Sequence, residues 1–229
     1  MPVFRLTKKP VFPSPDLAEE DGLLAVGGDL SEERLLRAYS LGIFPWFSEG
    51  DPILWWSPDP RLVLMPDELK VSRSLRQEVK KGTFTVTFDT AFDEVIRNCS
   101  EVHRSKDGDT WITADMIRAY RRLHGAGFAH SAESWYEGEL AGGLYGIALG
   151  GAFFGESMFT LRSNASKIAF ATLARMLRAW NFSLIDCQVT TEHLISLGAR
   201  EVSRSAFMSA LKRALDLPGR SGKWTEADE

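Results

Sequence analysis

The sequence predicts an α+β fold on three observations. Three strand-length segments, 128 to 136, 139 to 148 and 151 to 159, follow one another with only Glu137-Gly138 and Gly150-Gly151 between them, short Gly-bearing connections typical of hairpins. A long helical pattern and then one further strand, FSLIDCQV over 182 to 189, follow this meander. Ahead of it, the first 60 residues are rich in Pro, Gly and Trp, and FPSP, GG and FPW break any long periodicity. A chain of 229 residues accommodates one domain of ordinary size and a smaller module. The change of character around Pro58 to Pro60 sets the expected division: a small N-terminal α+β domain over 1 to 60, packed on a larger domain over 61 to 229.

In the N-terminal segment one helix stands out. Ser31 caps it, Glu32 and Glu33 suit its positive end, Leu35, Leu36 and Tyr39 form its apolar stripe, and Gly42 closes it. SRSLRQEVKK over 72 to 81 reads as a helix, TFTVTF over 83 to 88 as a strand, and 89 to 99 as a helix. Thr113 caps a helix that turns Met116, Ile117, Tyr120 and Leu123 inward and ends near Gly125 and Gly127. After the meander, Asn164 caps the long helix, with Ile168, Leu173, Met176, Leu177 and Trp180 on one side. Short helices near 191 to 197 and 204 to 215 complete the fold, and LPGRSGKWTEADE reads as a loose tail with Trp224 as its anchor.

Composition narrows the function. The net charge of -4 argues against a protein that coats nucleic acid, which needs clustered Lys and Arg, but leaves room for a local basic face. His103, His124, His130 and His193 lie far apart, and Cys99 and Cys187 form neither a zinc-ligand nor a disulfide pattern, so reduced thiols and no metal are expected. No apolar stretch approaches the ~20 residues of a membrane helix. The opening MPVFRLTKKP lacks the apolar core of a signal peptide, so a cytoplasmic protein without membrane contact is expected.

Three features carry chemistry. Strand alternation over 182 to 189 puts Asp186 and Gln188 on one face and Cys187 on the other, and over 151 to 159 it groups Phe154, Glu156 and Met158. Two carboxylates beside an amide suit an ammonium or guanidinium group, although either acid alone fits a solvated strand end equally well. Trp46, Trp55, Trp56 and Trp111 are candidates for stacking under a nucleobase; Trp55 and Trp56 read as core, whereas Trp46, in a loop bounded by Gly and Pro, fits core packing and stacking equally well. On the helix at 72 to 81, Arg73, Arg76, Lys80 and Lys81 fall at i, i+3, i+7 and i+8, one side of the helix, with only Glu78 offsetting them. Most charge stripes are solvated faces, but this one suits a phosphate backbone.

At these motifs the chain resembles a known family. GLLAVGGDL (22 to 30), GIFPWF (42 to 47), DPILWWSPDPR (51 to 61), TWIT (110 to 113), GGLYG (142 to 146), GESMF (155 to 159), NASK (164 to 167), LIDCQ (184 to 188) and SLGA (196 to 199) resemble signature blocks of leucyl/phenylalanyl-tRNA–protein transferases, in family order along nearly the whole chain. The resemblance implies a GNAT-like acyltransferase domain over 61 to 229. It implies transfer of Leu, Phe or sometimes Met from aminoacyl-tRNA to proteins that begin with Arg or Lys, which marks them for the N-degron pathway. By position, Asp186 and Gln188 match the catalytic pair, Glu156 and Asp186 the acceptor site, and Trp46 and Trp111 the holders of the tRNA 3′-adenosine. Leu144, Phe153 and Leu173 fall to the aminoacyl pocket, and Arg73, Arg76, Lys80 and Lys81 to the tRNA backbone. Gln77 stands where another cation is common, and Leu144 and Leu173 replace bulkier or more flexible residues.

Attack of an amine on an aminoacyl ester is downhill and needs no ATP, cofactor or metal. An α-amine of pKa about 7.7–8.0 is partly neutral near pH 7.5, so orientation carries much of the work. In this reading the Gln188 carbonyl accepts a hydrogen bond from the amine, Asp186 fixes the amide, and Cys187 on the opposite face forms no thioester. The alternatives are an acetyl-CoA-dependent N-acetyltransferase, disfavoured because TLRSNASK at the strand-to-helix junction has no glycine, and a non-catalytic receptor for basic N-termini.

Overall fold

The structure is a computed structural model that describes residues 3 to 107 and 110 to 225, with the side chains of 103 to 107 left aside. The end of the expected tail, 226 to 229, lies outside the described residues. The chain begins β1 (Phe4–Leu6), β2 (Leu23–Gly27), α1 (Glu32–Ser40), β3 (Phe44–Pro45) and β4 (Leu54–Trp56), whose strands form one sheet in the order β1-β2-β4-β3. It continues with β5 (Arg61–Leu64), α2 (Arg73–Lys81), β6 (Thr85–Phe88), α3 (Phe92–Asp107), α4 (Ala114–Gly125), β7 (Ala129–Tyr136), β8 (Glu139–Leu149) and β9 (Ala152–Thr160). Last come α5 (Ala165–Ala179), β10 (Leu184–Gln188), α6 (Glu192–Ser196), β11 (Arg200–Val202) and α7 (Arg204–Leu215). The second sheet runs β11-β5-β10-β9-β8-β7-β6. The mixed α+β class expected from the sequence is what folds.

The meander follows its turn chemistry. Glu137 and Gly138 both have positive φ, 52° and 84°, as a two-residue hairpin turn between right-twisted strands requires. All neighbours in the second sheet are antiparallel except β9 and β10, which run parallel because α5 carries the chain back across the sheet. Alternation then splits the side chains between two layers. Ile147, Phe154 and Leu184 pack with α1, α3, α4 and α7, while Ala148, Phe153 and Ile185 pack with α5 and Trp224. Leu24, Leu35 and Trp55 belong to the first of these clusters, so the first sheet shares its core with the second.

In the second sheet two strands escape a periodicity reading. β5 (RLVL) is buried along its whole length and β11 has three residues, so neither shows alternation. Two caps also differ from expectation. Ser31 stands at the N-cap of α1 without a side-chain cap bond, and Asp29 accepts the Ser31 N–H instead at 2.9 Å. Asn164 precedes α5 in a left-handed conformation with no cap bond of its own, and Thr160 Oγ1 accepts from Ser166 N at 3.4 Å. Ser72 and Thr113 do cap α2 and α4.

The turn after α1 has little room. Gly42 has φ 69°, and a Cβ there would lie 2.6 Å from the Phe207 ring on α7. The tail is anchored as far as Trp224, which is buried, donates its N–H to Asp89 Oδ2 at 2.8 Å and stacks on His130 at 3.6 Å. Among the described residues no helix is long and apolar enough to cross a membrane.

Candidate active site

Pairing between the parallel strands β9 and β10 stops at Asp186 opposite Phe154. Beyond that point the strands part, and a cavity of about 430 Å³ opens between them. Gly155, Glu156, Ser157 and Met158 line it from β9, and Cys187, Gln188 and Val189 from β10 and its end. Leu144, Phe170, Ile185 and Leu194 add apolar wall, and Trp46 and Trp111 contribute two indoles. A pocket with apolar walls and a few convergent polar groups is the usual form of a small-molecule site.

Both polar groups sit at interruptions of strand geometry. In β9 the partners jump from Gly155 to Ser157 opposite consecutive residues of β8, so Glu156 is an extra residue. In β10 they jump from Asp186 to Gln188 opposite β5, so Cys187 is extra there. Such bulges re-aim side chains, and they explain where simple alternation fails. Phe154 faces the α3 layer while Met158 packs against the α5 layer, so the two are not on one face with Glu156. Asp186 and Cys187 do point to opposite sides, but it is Cys187, with Ile185, that meets the cavity, and Asp186 that turns away from it. Gln188 has φ 61°, and this left-handed turn carries its side chain back to Glu156.

Glu156 is the hub of the site. Tyr39 Oη on α1 donates to its Oε1 at 2.7 Å, Tyr120 Oη on α4 to its Oε2 at 2.7 Å, and Gln188 Nε2 to its Oε1 at 3.0 Å. The two tyrosine oxygens also lie within hydrogen-bond reach of each other, so either hydroxyl can turn from the carboxyl and donate to its neighbour. Burial, helped by the negative charge of Asp186, pushes the Glu156 carboxyl up to about 7 against the three donors that oppose it. Asp186 is fully buried and differently engaged. Arg61 holds it with two hydrogen bonds, Nε to Oδ1 at 2.8 Å and Nη2 to Oδ2 at 2.6 Å, and Oδ1 also accepts the Gln188 backbone N–H at 2.9 Å. Burial first, and Asp186 next, raise the Cys187 thiol well above its ordinary range, so it is a poor source of thiolate.

The family model for leucyl/phenylalanyl-tRNA protein transferase matches residues 63–212, and that for its N-terminal domain matches residues 28–59. The chain belongs to this family. Curated leucyl/phenylalanyl-tRNA--protein transferases resemble it over nearly their whole length. One from Syntrophobacter fumaroxidans is 63% identical over 92% of this chain and 90% of its own, and one from Myxococcus xanthus is 58% identical over 99% and 97%. Among solved structures, a GCN5-related N-acetyltransferase from Kribbella flavida is 12% identical with a TM-score of 0.35, covering 72% of this chain and 58% of its own.

For a leucyl/phenylalanyl-tRNA–protein transferase, the residues singled out in the sequence are only partly gathered at the cavity. Trp46, Trp111, Leu144, Glu156 and Gln188 line it. Trp46 is 44% exposed, and Trp56 fixes its backbone by donating to the Trp46 carbonyl at 2.7 Å. Phe153 and Leu173 do not line the cavity. Each is buried in the core shared with α5, where Phe153 packs close to Gly146, and the cavity wall that position-matching assigned to them is supplied by Phe170, Met158 and Ile185. Asp186 does not line the cavity; it is fully buried, with Arg61 and the Gln188 backbone N–H on its oxygens. Arg73, Arg76, Lys80 and Lys81 are all exposed on α2; Lys81 pairs with Glu78 at 2.6 Å and Arg76 donates to the Val71 carbonyl.

Tyr39, Tyr120 and Arg61 were absent from the sequence reading as site residues. Tyr39 and Tyr120 appear there only as members of apolar helix stripes, and nothing in a stripe shows that two hydroxyls meet on one carboxyl. The available signal was polar: a tyrosine buried on an apolar face needs a partner for its hydroxyl.

Proposed function

We propose that this chain transfers Leu or Phe, and less often Met, from aminoacyl-tRNA to the α-amine of proteins that begin with Arg or Lys, marking them for N-degron degradation. Family membership supports the reaction class. The observation that carries the reading to particular atoms is the Glu156–Gln188 hydrogen bond at the cavity. With Nε2 of Gln188 given to Glu156, its carbonyl oxygen is left as the acceptor for an N–H of the incoming amine. The neutral amine attacks the ester carbonyl, the bond to the ribose oxygen breaks, and one amine proton ends on that oxygen. Orientation accounts for much of the rate, since no strong base is needed.

Glu156 in its ionised form takes the cationic side chain of the acceptor's first residue. Leu144, Met158, Phe170 and Ile185 select apolar aminoacyl groups by burial, where a full-sized side chain contributes ~1.5–3 kcal/mol. Trp46 and Trp111 hold the 3′-adenosine, and the basic face of α2 meets the tRNA backbone. The division at 60 is part of this proposal, supported by two sheets that share no strand. So is a GNAT-like transfer domain over 61 to 229, supported by a cleft between two parting parallel strands, and action in the cytoplasm. The test is donor and acceptor choice. With labelled Phe-tRNA, peptides that begin with Arg or Lys should be labelled and otherwise identical peptides that begin with Gly or Asp should not; equal labelling of all four would refute the acceptor assignment.

A further inference from the structure

We infer that Arg61 is a positioning residue for aminoacyl transfer: through the Asp186 carboxylate it holds the Gln188 backbone in the left-handed turn that brings the Gln188 amide to the cavity. The inference rests on the reading that Gln188 meets the attacking amine. A left-handed backbone at a residue other than glycine persists only where its surroundings over-determine it. Strand pairing alone does not set this turn: β10 leaves β9 after Asp186, and Gln188 comes opposite Leu62 of β5 only past the bulge at Cys187. The Gln188 N–H is held instead by Asp186 Oδ1 at 2.9 Å.

That oxygen is placed by Arg61, 125 residues earlier in the chain, which grips the carboxylate at 2.8 and 2.6 Å in the planar two-point manner open to a guanidinium and closed to an ammonium. The guanidinium is fixed in turn between two rings, with its carbon 4.8 Å from the centre of Phe44 on β3 and 4.6 Å from that of Phe207 on α7. One buried cation on β5 thus connects the first sheet and the last helix to a single turn at the cavity. Asp186, with no exposure and its charge balanced by Arg61, acts on Gln188 and not on substrate.

The test compares two double variants, Arg61→Leu/Asp186→Asn and Arg61→Leu/Asp186→Ala. Both remove the buried charges together, so neither strands an unpaired ion. They differ in whether residue 186 offers an oxygen to the Gln188 N–H. The Asn variant should keep a kcat at least about tenfold above the Ala variant, with KM for Phe-tRNA and for an Arg-initiated peptide alike in both, and only the Asn variant should protect the Gln188 amide from hydrogen exchange. Arg61→Lys, which retains the charge but not the two-point grip, should fold normally and lose kcat by about 100-fold, the scale of a misplaced group at a reacting centre. Equal kcat in the two double variants, in a protein that Gln188→Ala impairs, overturns the inference, as does a full kcat in Arg61→Lys. A full kcat in Gln188→Ala sinks the underlying reading of Gln188 instead, and amide exchange then still decides whether Arg61 holds the turn.

Discussion

Glu156 shows how a single residue acquires a function from its surroundings. Its carboxyl is pushed up to about 7, so it is largely neutral below that pH and ionised above it. Under the proposed function a cationic acceptor binds the ionised form. The dissociation constant of an Arg-initiated peptide analogue lacking its α-amine should therefore fall by about tenfold between pH 6 and 8, and the dependence should vanish in Glu156→Gln. The same shift has a stability sign. A group raised from 4.5 favours the fold when protonated, so this contribution is complete below 4.5 and lost as pH rises through about 7. Calorimetry of the analogue across that range checks the binding arm, and a flat profile would remove Glu156 from acceptor recognition. Glu156 and Gln188 were legible in the sequence as polar residues inside strands, whereas Trp46 and Trp111 were singled out by the family resemblance. Arg61 was not legible, because its meaning depends on a partner 125 residues away.

Among the elements, the meander and the crossover helix were readable because period-2 and period-3.6 patterns are long there and their turns carry Glu137-Gly138 and Gly150-Gly151. The bulges at Glu156 and Cys187 were not readable, since one inserted residue reverses the faces without changing composition. Position-matching also could not separate Leu173, one layer into the α5 core, from Phe170 on the cavity wall of the same helix. The basic face of α2 was legible in full, and all four cations are exposed. Replacing Arg76 and Lys80 with Ala should weaken every aminoacyl-tRNA donor alike and lower the slope of log K against log salt by about 2, with acceptor KM unmoved. Filter binding over a salt series gives that slope, and an unchanged value would make α2 a solvated face.

For the molecule as a whole, what the sequence could not show is convergence. Tyr39 comes from α1, Tyr120 from α4, Glu156 from β9 and Gln188 from β10, and they meet only because the first sheet shares a core with the helices behind the second. The parted strands then expose one carboxyl, one amide and a raised thiol to an apolar cavity. In the proposed reaction the tRNA-borne amino acid and the acceptor amine meet there directly, with Gln188 orienting the attack and Cys187 uninvolved. Rapid acid quench of the protein with labelled Phe-tRNA and an Arg-initiated peptide tests it most directly. Label should pass to the peptide with no protein-bound phase, at nearly full rate in Cys187→Ser and at much reduced kcat in Gln188→Ala with donor affinity unchanged. A Phe thioester trapped on Cys187, or loss of transfer in a folded Cys187→Ser protein, would contradict it.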